Sequence, residues 1–202
     1  MTAKSYKEKR MQKLKSESLS RRKFIATASG LMVGNAFFSL SSPLSLGRSF
    51  IQKAEEDLSA EDLEWIKKSS MANELNKYFG QGYSCAESVV MVALRYLGKP
   101  EELVWAAAGF GGGLYHKDLC GFLTGGIMGI GFASSLLDRP RREAKKFCGD
   151  LVKAYWKWWE SRFPLHCSEI RTKGTGSQVC LNLGLLSAAK IEELIKAVKN
   201  KT

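Results

Sequence analysis

Beyond residue 58, apolar side chains recur at helical spacing almost to the end of the chain. Ser59-Ala60-Glu61-Asp62 has the form of a capping box. Trp65, Ile66, Leu75 and Phe79 follow it, which predicts a helix that Gly80 and Gly82 stop. Ser84-Cys85-Ala86-Glu87 is a second capping box, opening a predicted helix through Val89, Val90, Ala93, Leu94 and Leu97 that Gly98-Lys99-Pro100 ends. A short helix is expected from Glu101 to Ala108, running into the turn "GFGGG" at 109–113, read as presenting Cys120. Asp118 is placed to cap a long uncharged segment, Leu119 to Leu137, and Asp138 and Pro140 to start the next helix, Arg141 to Arg162. Irregular sequence with Pro164, Gly174 and Gly176 follows. Ser187 then caps a last amphipathic helix ending near Lys199. No stretch alternates with period two for long enough to argue for a sheet. The predicted fold class is all-α, a compact helical bundle with a buried glycine-rich central helix.

That central segment has two readings. Leu119–Leu137 carries Gly121, Gly125 and Gly129 at four-residue spacing, as in a membrane helix packed on a partner. It also holds five glycines, a cysteine, a threonine and two serines. A core helix with close-packed neighbours gives the same pattern, and this is the reading adopted.

The 202-residue chain has a formal charge of +11, which on its face suggests a nucleic-acid partner. Its placement removes the suggestion. Residues 1–50 hold ten basic and two acidic side chains, and the rest 21 basic against 18 acidic. The excess belongs to the leader, so no nucleic-acid partner is expected. In the leader, Ser20-Arg21-Arg22-Lys23-Phe24-Ile25 sets paired arginines before a moderately apolar run to Leu40, the pattern of a twin-arginine export signal. The expected organisation is a signal peptide over 1–46, a linker over 47–58 and a helical domain over 59–202. The expected location is the periplasm, or the outer face of the inner membrane if the signal stays uncleaved. The twin-arginine machinery is then a partner, and because that route carries folded proteins, something about this domain requires folding before export.

Cys85, Cys120, Cys148, Cys167 and Cys180 all lie in the predicted domain, with no C-x-x-C pair among them. With Ser84 as N-cap, Cys85 takes the first helical position; with Asp118 as N-cap, Cys120 takes the second. Unpaired N–H groups and the helix dipole favour a thiolate there, so lowered thiol pKa values are expected. Gly121 leaves the backbone beside Cys120 open to close approach by a neighbour or a cofactor. Cys167 and Cys180, thirteen positions apart, can fold back on one site. Cys148 sits mid-helix beside Leu151, Val152 and Tyr155 and reads as a small buried hydrophobe.

The stretches "GYSCAESV", "FGGGL", "CGFLTGGIMGIG" and "HCSEI", with a last cysteine about a dozen residues on, resemble the redox-active C-GCAxxG-C-C family over roughly residues 72 to 184. The resemblance implies that Cys85, Cys120, Cys167 and Cys180 are the functional set, supported by Gly121 and Gly125, and that Cys148 is not part of it. Phe122 departs from the family pattern, which has a small residue there. The same pattern is similar to the cysteine-bearing part of split-Soret cytochromes c, which join c-type haem to a [2Fe-2S] site. Here there is no C-x-x-C-H and the only histidines are His116 and His166, so no haem is expected.

Four sulfurs admit several chemistries. They can hold an iron–sulfur cluster, [2Fe-2S] by preference, for one-electron transfer to an unidentified redox partner; cluster insertion in the cytoplasm would explain export in the folded state. Cys85 could instead be an exchange nucleophile with Cys120 as resolving thiol, although such proteins use C-x-x-C. Two structural disulfides in a binding or scaffold domain, or a zinc ion, complete the alternatives. A homodimer is compatible with a shared cluster or disulfide. Tyr155, Trp158, Trp159 and Phe163 read as core packing, and His166 as a metal ligand, a tuning group or neither. "GFGGG" lacks the lysine of a P-loop, and no Ser/His/Asp arrangement suggests hydrolysis.

Overall fold

The computed structural model of the protein describes residues 58–171 and 176–199. The expected signal peptide, with Arg21 and Arg22, and nearly all of the expected linker lie outside the described residues. The fold is all-α. Its elements are α1 (Ala60–Lys68), α2 (Ser70–Leu75), α3 (Cys85–Leu97), a 3-10 helix (Glu101–Phe110), α4 (Gly121–Ser134), α5 (Arg141–Glu160), α6 (Cys167–Arg171) and α7 (Gly176–Lys199). Among the described residues no strand forms, only isolated bridges at Phe79–Tyr83 and Leu119–His166.

The glycine-rich α4 is the centre of the bundle, packed by α3, α5 and α7. Phe122, Leu123, Ile130 and Ala133 are wholly buried. Its glycines let neighbours approach: a Cβ on Gly125 would lie 2.6 Å from the Ala86 carbonyl, and one on Gly126 2.7 Å from the Tyr155 hydroxyl. No described helix is long and apolar enough to cross a membrane. Phe122 is accommodated by a glycine on the facing helix, since a Cβ on Gly184 of α7 would come within 2.6 Å of its ring. Trp158, Trp159, Tyr155 and Phe163 form a run of ring contacts with centroids 5.3–6.4 Å apart, each worth about 0.5–1.5 kcal/mol beyond burial. Tyr155 and Trp159 are wholly buried core, as the sequence predicts, while Trp158 and Phe163 are part-buried and pack against it.

Side-chain caps behave as expected at α1 and α3. Ser59 accepts from the Asp62 amide at 3.1 Å, though the Asp62 carboxylate turns away to Arg162 at 2.6 Å. At α3 the box is complete: the Glu87 amide donates to Ser84 Oγ at 3.3 Å and the Ser84 amide to Glu87 Oε2 at 2.9 Å.

Three expectations are corrected. The single helix expected through Phe79 is broken at Ser69 and ends at Leu75. Ser187 is not a cap but lies wholly buried inside α7, which begins at Gly176. Leu181, Leu183, Leu185, Leu186, Ala188 and Ala189 are all buried, so this half of α7 is apolar nearly all round and shows no amphipathic stripe. Asp118 does not cap α4; Cys120 holds the N-cap position instead.

The break at Ser69 has a tertiary cause. Glu192 of α7, 3% exposed, accepts from Ser69 Oγ at 2.7 Å, Ser70 Oγ at 3.2 Å and the Met71 amide at 2.9 Å, with Lys196 Nζ at 2.9 Å. Burial by itself raises its pKa. The Met71 amide, Lys196 and Ser69 together outweigh that and hold it below the ordinary 4.5. A carboxylate depressed on folding contributes stability above its unfolded pKa and loses it as pH falls through the folded value. Glu192→Gln is therefore expected to cost about 1–3 kcal/mol at neutral pH and to flatten the loss of stability below pH 4.5. Urea unfolding across pH 3–7 checks both; an unchanged acid limb would assign that loss to another group.

Candidate functional site

Four of the five cysteines come together around the N-termini of α3 and α4. Cys85 is the first residue of α3, as its capping box predicts. Its sulfur packs against the backbone of Gly121, where any Cβ would collide with it. Cys120 and Cys167, 5% and 6% exposed, lie on two segments joined by a short antiparallel pairing centred on Leu119 and His166. The Cys120 amide donates to the Leu165 carbonyl at 2.9 Å and the Cys167 amide to the Asp118 carbonyl at 2.7 Å. Cys180 comes from α7 rather than from the irregular stretch expected.

Electrostatic interaction links Cys85 with Cys167, Cys120 with Cys85 and Cys180, and Cys180 with Cys85 and Cys167. Cys148 takes no part in this set and lies half-buried on α5, against the core. No described cysteine is disulfide-bonded.

The turn between the 3-10 helix and α4 does more than present Cys120. Gly112 and Gly113 adopt φ of 59° and 67°, and Leu114, Tyr115 and Lys117 follow at 56–59°. This left-handed run costs non-glycine residues of order 1–3 kcal/mol each. Its effect is to set the Gly112 amide at the Cys85 sulfur and to press Gly113 against Cys167, where a Cβ would lie 2.7 Å from the cysteine Cβ. Sequence reasoning missed this double role, although the glycine run itself was the visible signal. The Leu165 carbonyl gave no signal at all.

The thiol chemistry reverses the expectation. Burial pushes the Cys85 thiol up, against the opposing amides of Gly112 and Ala86. It pushes Cys120 up to about 12, against the amides of Phe122 and Leu123. Cys180 is raised by burial as well, in spite of Arg171. Helix N-termini do favour these anions, but desolvation wins. As free thiols they are protonated and poor nucleophiles near neutral pH.

His166 Nδ1 pairs with Asp118 Oδ1 at 2.8 Å, both side chains about half-exposed. Among the described residues no three His, Cys, Asp or Glu side chains stand close enough to hold one metal ion, so the single-zinc alternative gains no support. Four thiols are also the ligand count of an iron–sulfur cluster, and burial holds Cys85, Cys120 and Cys180 protonated in the absence of a compensating cation.

A helical bundle that gathers four cysteines from separate elements at its central helix defines a cysteine-centred redox-type protein. The chain belongs to the family described as "Putative redox-active protein (C_GCAxxG_C_C)", which it matches over residues 83–194. No curated protein and no solved structure matches it significantly.

Proposed function

We propose that the protein is an exported one-electron carrier in which Cys85, Cys120, Cys167 and Cys180 hold an iron–sulfur cluster of the [2Fe-2S] type. Membership of a redox-active family supports redox chemistry in general. The observation that supports the finer reading is that electrostatic interaction links these four thiols and leaves Cys148 out. When bound, such a cluster supplies one-electron transfer without proton or group chemistry from the protein. The chain's own residues then bind and screen. Burial of Cys120 and Cys167 excludes water, the Gly112, Ala86, Phe122 and Leu123 amides offset thiolate charge, and the Cys120–Leu165 and Cys167–Asp118 bonds fix two ligands in one frame. The raised thiols weigh against exchange chemistry, which needs an accessible thiolate. The test is a visible and electron paramagnetic resonance spectrum of protein purified without oxygen. Bands that bleach with dithionite as a paramagnetic signal appears support the reading; a colourless, silent protein sinks it.

Export is part of the proposal. A cluster must be inserted where iron and sulfide are supplied, and the twin-arginine route then carries the folded product. Arg21→Lys with Arg22→Lys is expected to leave the protein in the cytoplasm with its colour intact. Fractionation checks this, and normal export of the double variant would assign transport to another route.

A further inference from the structure

The charge of the helical domain is not spread evenly. Residues 139–157 hold seven basic and two acidic side chains, while the rest of the chain beyond residue 50 holds 14 basic and 16 acidic. The excess sits on the outside of α5. Leu151, Tyr155 and Trp159 give this helix its buried face. Arg142, Lys146, Lys153 and Lys157 follow one another at spacings of four, seven and four, which keeps them together on a face away from the buried one. All four are exposed, as are Arg139, Arg141 and Lys145 beside them. Among the described residues the only ion pair that reaches this face is Lys153 with Asp150, at 3.8 Å.

Helix stability does not account for the arrangement. α5 starts at Arg141 with Pro140 at its N-cap and no side-chain cap, and Glu143 is the one acidic residue of its first turn. Cations are disfavoured at the positive end of a helix dipole. Arg141 and Arg142 nevertheless take the first two helical positions, and Lys145 and Lys146 follow one turn on. Like charges at such spacing also repel one another. A basic face that opposes its own helix and lacks acidic neighbours is complementary to anions outside the protein.

The form of the face indicates which anions. It runs along a 20-residue helix, about 30 Å, and it is not purely polar. Trp156 lies half-buried between Lys153 and Lys157, and Leu136 is exposed just before Arg139. A long row of cations edged by a tryptophan and a leucine suits a lipid headgroup layer, where basic side chains meet phosphates and apolar ones reach the acyl boundary. An electron-transfer partner is less well served by this face. α5 packs on α4 and α7, whereas the 3-10 helix that leads into the turn at Cys85 packs on α3 and α4, so the two are carried on different sides of α4.

We propose that the outer face of α5 is an adsorption surface for anionic lipid headgroups, which holds the domain against a membrane and leaves the 3-10 helix facing water. The proposed export decides which leaflet is met; adsorption itself rests on the fold and charge of α5 and not on the four-cysteine reading.

The test is partition of the full-length protein onto phosphatidylcholine vesicles with and without phosphatidylglycerol, read by co-sedimentation. Every sample carries the same basic leader, so ratios between variants report the domain. One variant combines Arg141→Gln, Arg142→Gln, Lys145→Gln and Lys146→Gln. The control combines Lys67→Gln, Lys68→Gln, Lys77→Gln and Lys99→Gln, all outside α5. A basic residue near an anionic surface is worth about fivefold in partition. The α5 variant is therefore expected to fall at least tenfold below the control on phosphatidylglycerol vesicles, to match it on neutral ones, and to melt no earlier than wild type. Equal partition of the two variants overturns the proposal, as does wild-type protein that binds both kinds of vesicle alike; either result would turn the face towards an acidic protein. Melting well below wild type with unchanged partition would assign the four cations to the fold instead.

Discussion

Adding one methyl group at Gly121 is expected to force α3 away from α4 and empty the four-cysteine centre. The new Cβ would collide with Cys85 Sγ and lie 2.9 Å from the Phe110 carbonyl and 3.1 Å from the Ala86 amide. Backbone atoms on two elements cannot rotate away as a flexible side chain would, and the sulfur is displaced from the others it faces. Gly125 repeats the contact one turn on, with a Cβ 2.6 Å from the Ala86 carbonyl and 3.0 Å from the Ala86 Cα. Overpacking of this kind costs about 1–3 kcal/mol, and Gly121→Ala should show the cost together with loss of colour. Gly131, also in α4, has nothing within 4 Å of its Cβ position, so Gly131→Ala should stabilise by about 0.5–1 kcal/mol through helix propensity alone. Denaturant unfolding with absorbance read on the same samples separates the two. Opposite signs are expected; equal effects would mean that close approach at Gly121 is not what holds α3 and α4 together.

Cys120→Ser is expected to lower bound iron and bleachable absorbance at least tenfold, by roughly the factor that loss of a metal-site contact produces. The Cys120 thiol is held up to about 12 by burial, so its ionisation requires compensating positive charge. A serine in the same dry position ionises far less readily and leaves a buried hydroxyl, at about 1–3 kcal/mol where it finds no partner. The same loss of iron is expected for Cys85→Ser, Cys167→Ser and Cys180→Ser. Cys148→Ser should keep the centre and cost about 1 kcal/mol or less, because Cys148 lies half-buried at the edge of the core. Iron analysis on the five variants checks the set. Retention of iron by Cys85→Ser with its loss in Cys148→Ser would reverse the assignment.

What was legible in the sequence was local. The Ser84–Glu87 box fixes the start of α3 within one turn of chain, and Gly98 its end, so both could be read in advance. Cys85 followed directly from that box. The breaks set by distant partners could not be read. Ser69 interrupts the first helix because Glu192, 123 positions away, takes its hydroxyl. Ser187 looks like a cap until Tyr155 and Phe122 are seen around it. Asp118 was spent on His166 rather than on α4. The thiols failed for the same reason. Their helix positions argued for lowered pKa values, but desolvation depends on everything packed over the sulfur, and burial decided the direction. The pairing of the Cys120 and Cys167 segments, through two backbone bonds, carries no side-chain signature at all.

The central claim is that these four sulfurs bind one two-iron cluster. The measurement that tests it most directly is iron and acid-labile sulfide on the full-length protein isolated without oxygen. About two irons and two sulfides per chain are predicted. Iron and sulfide absent from protein with all five thiols titratable would contradict it, and would leave a family redox chemistry carried by the cysteines themselves.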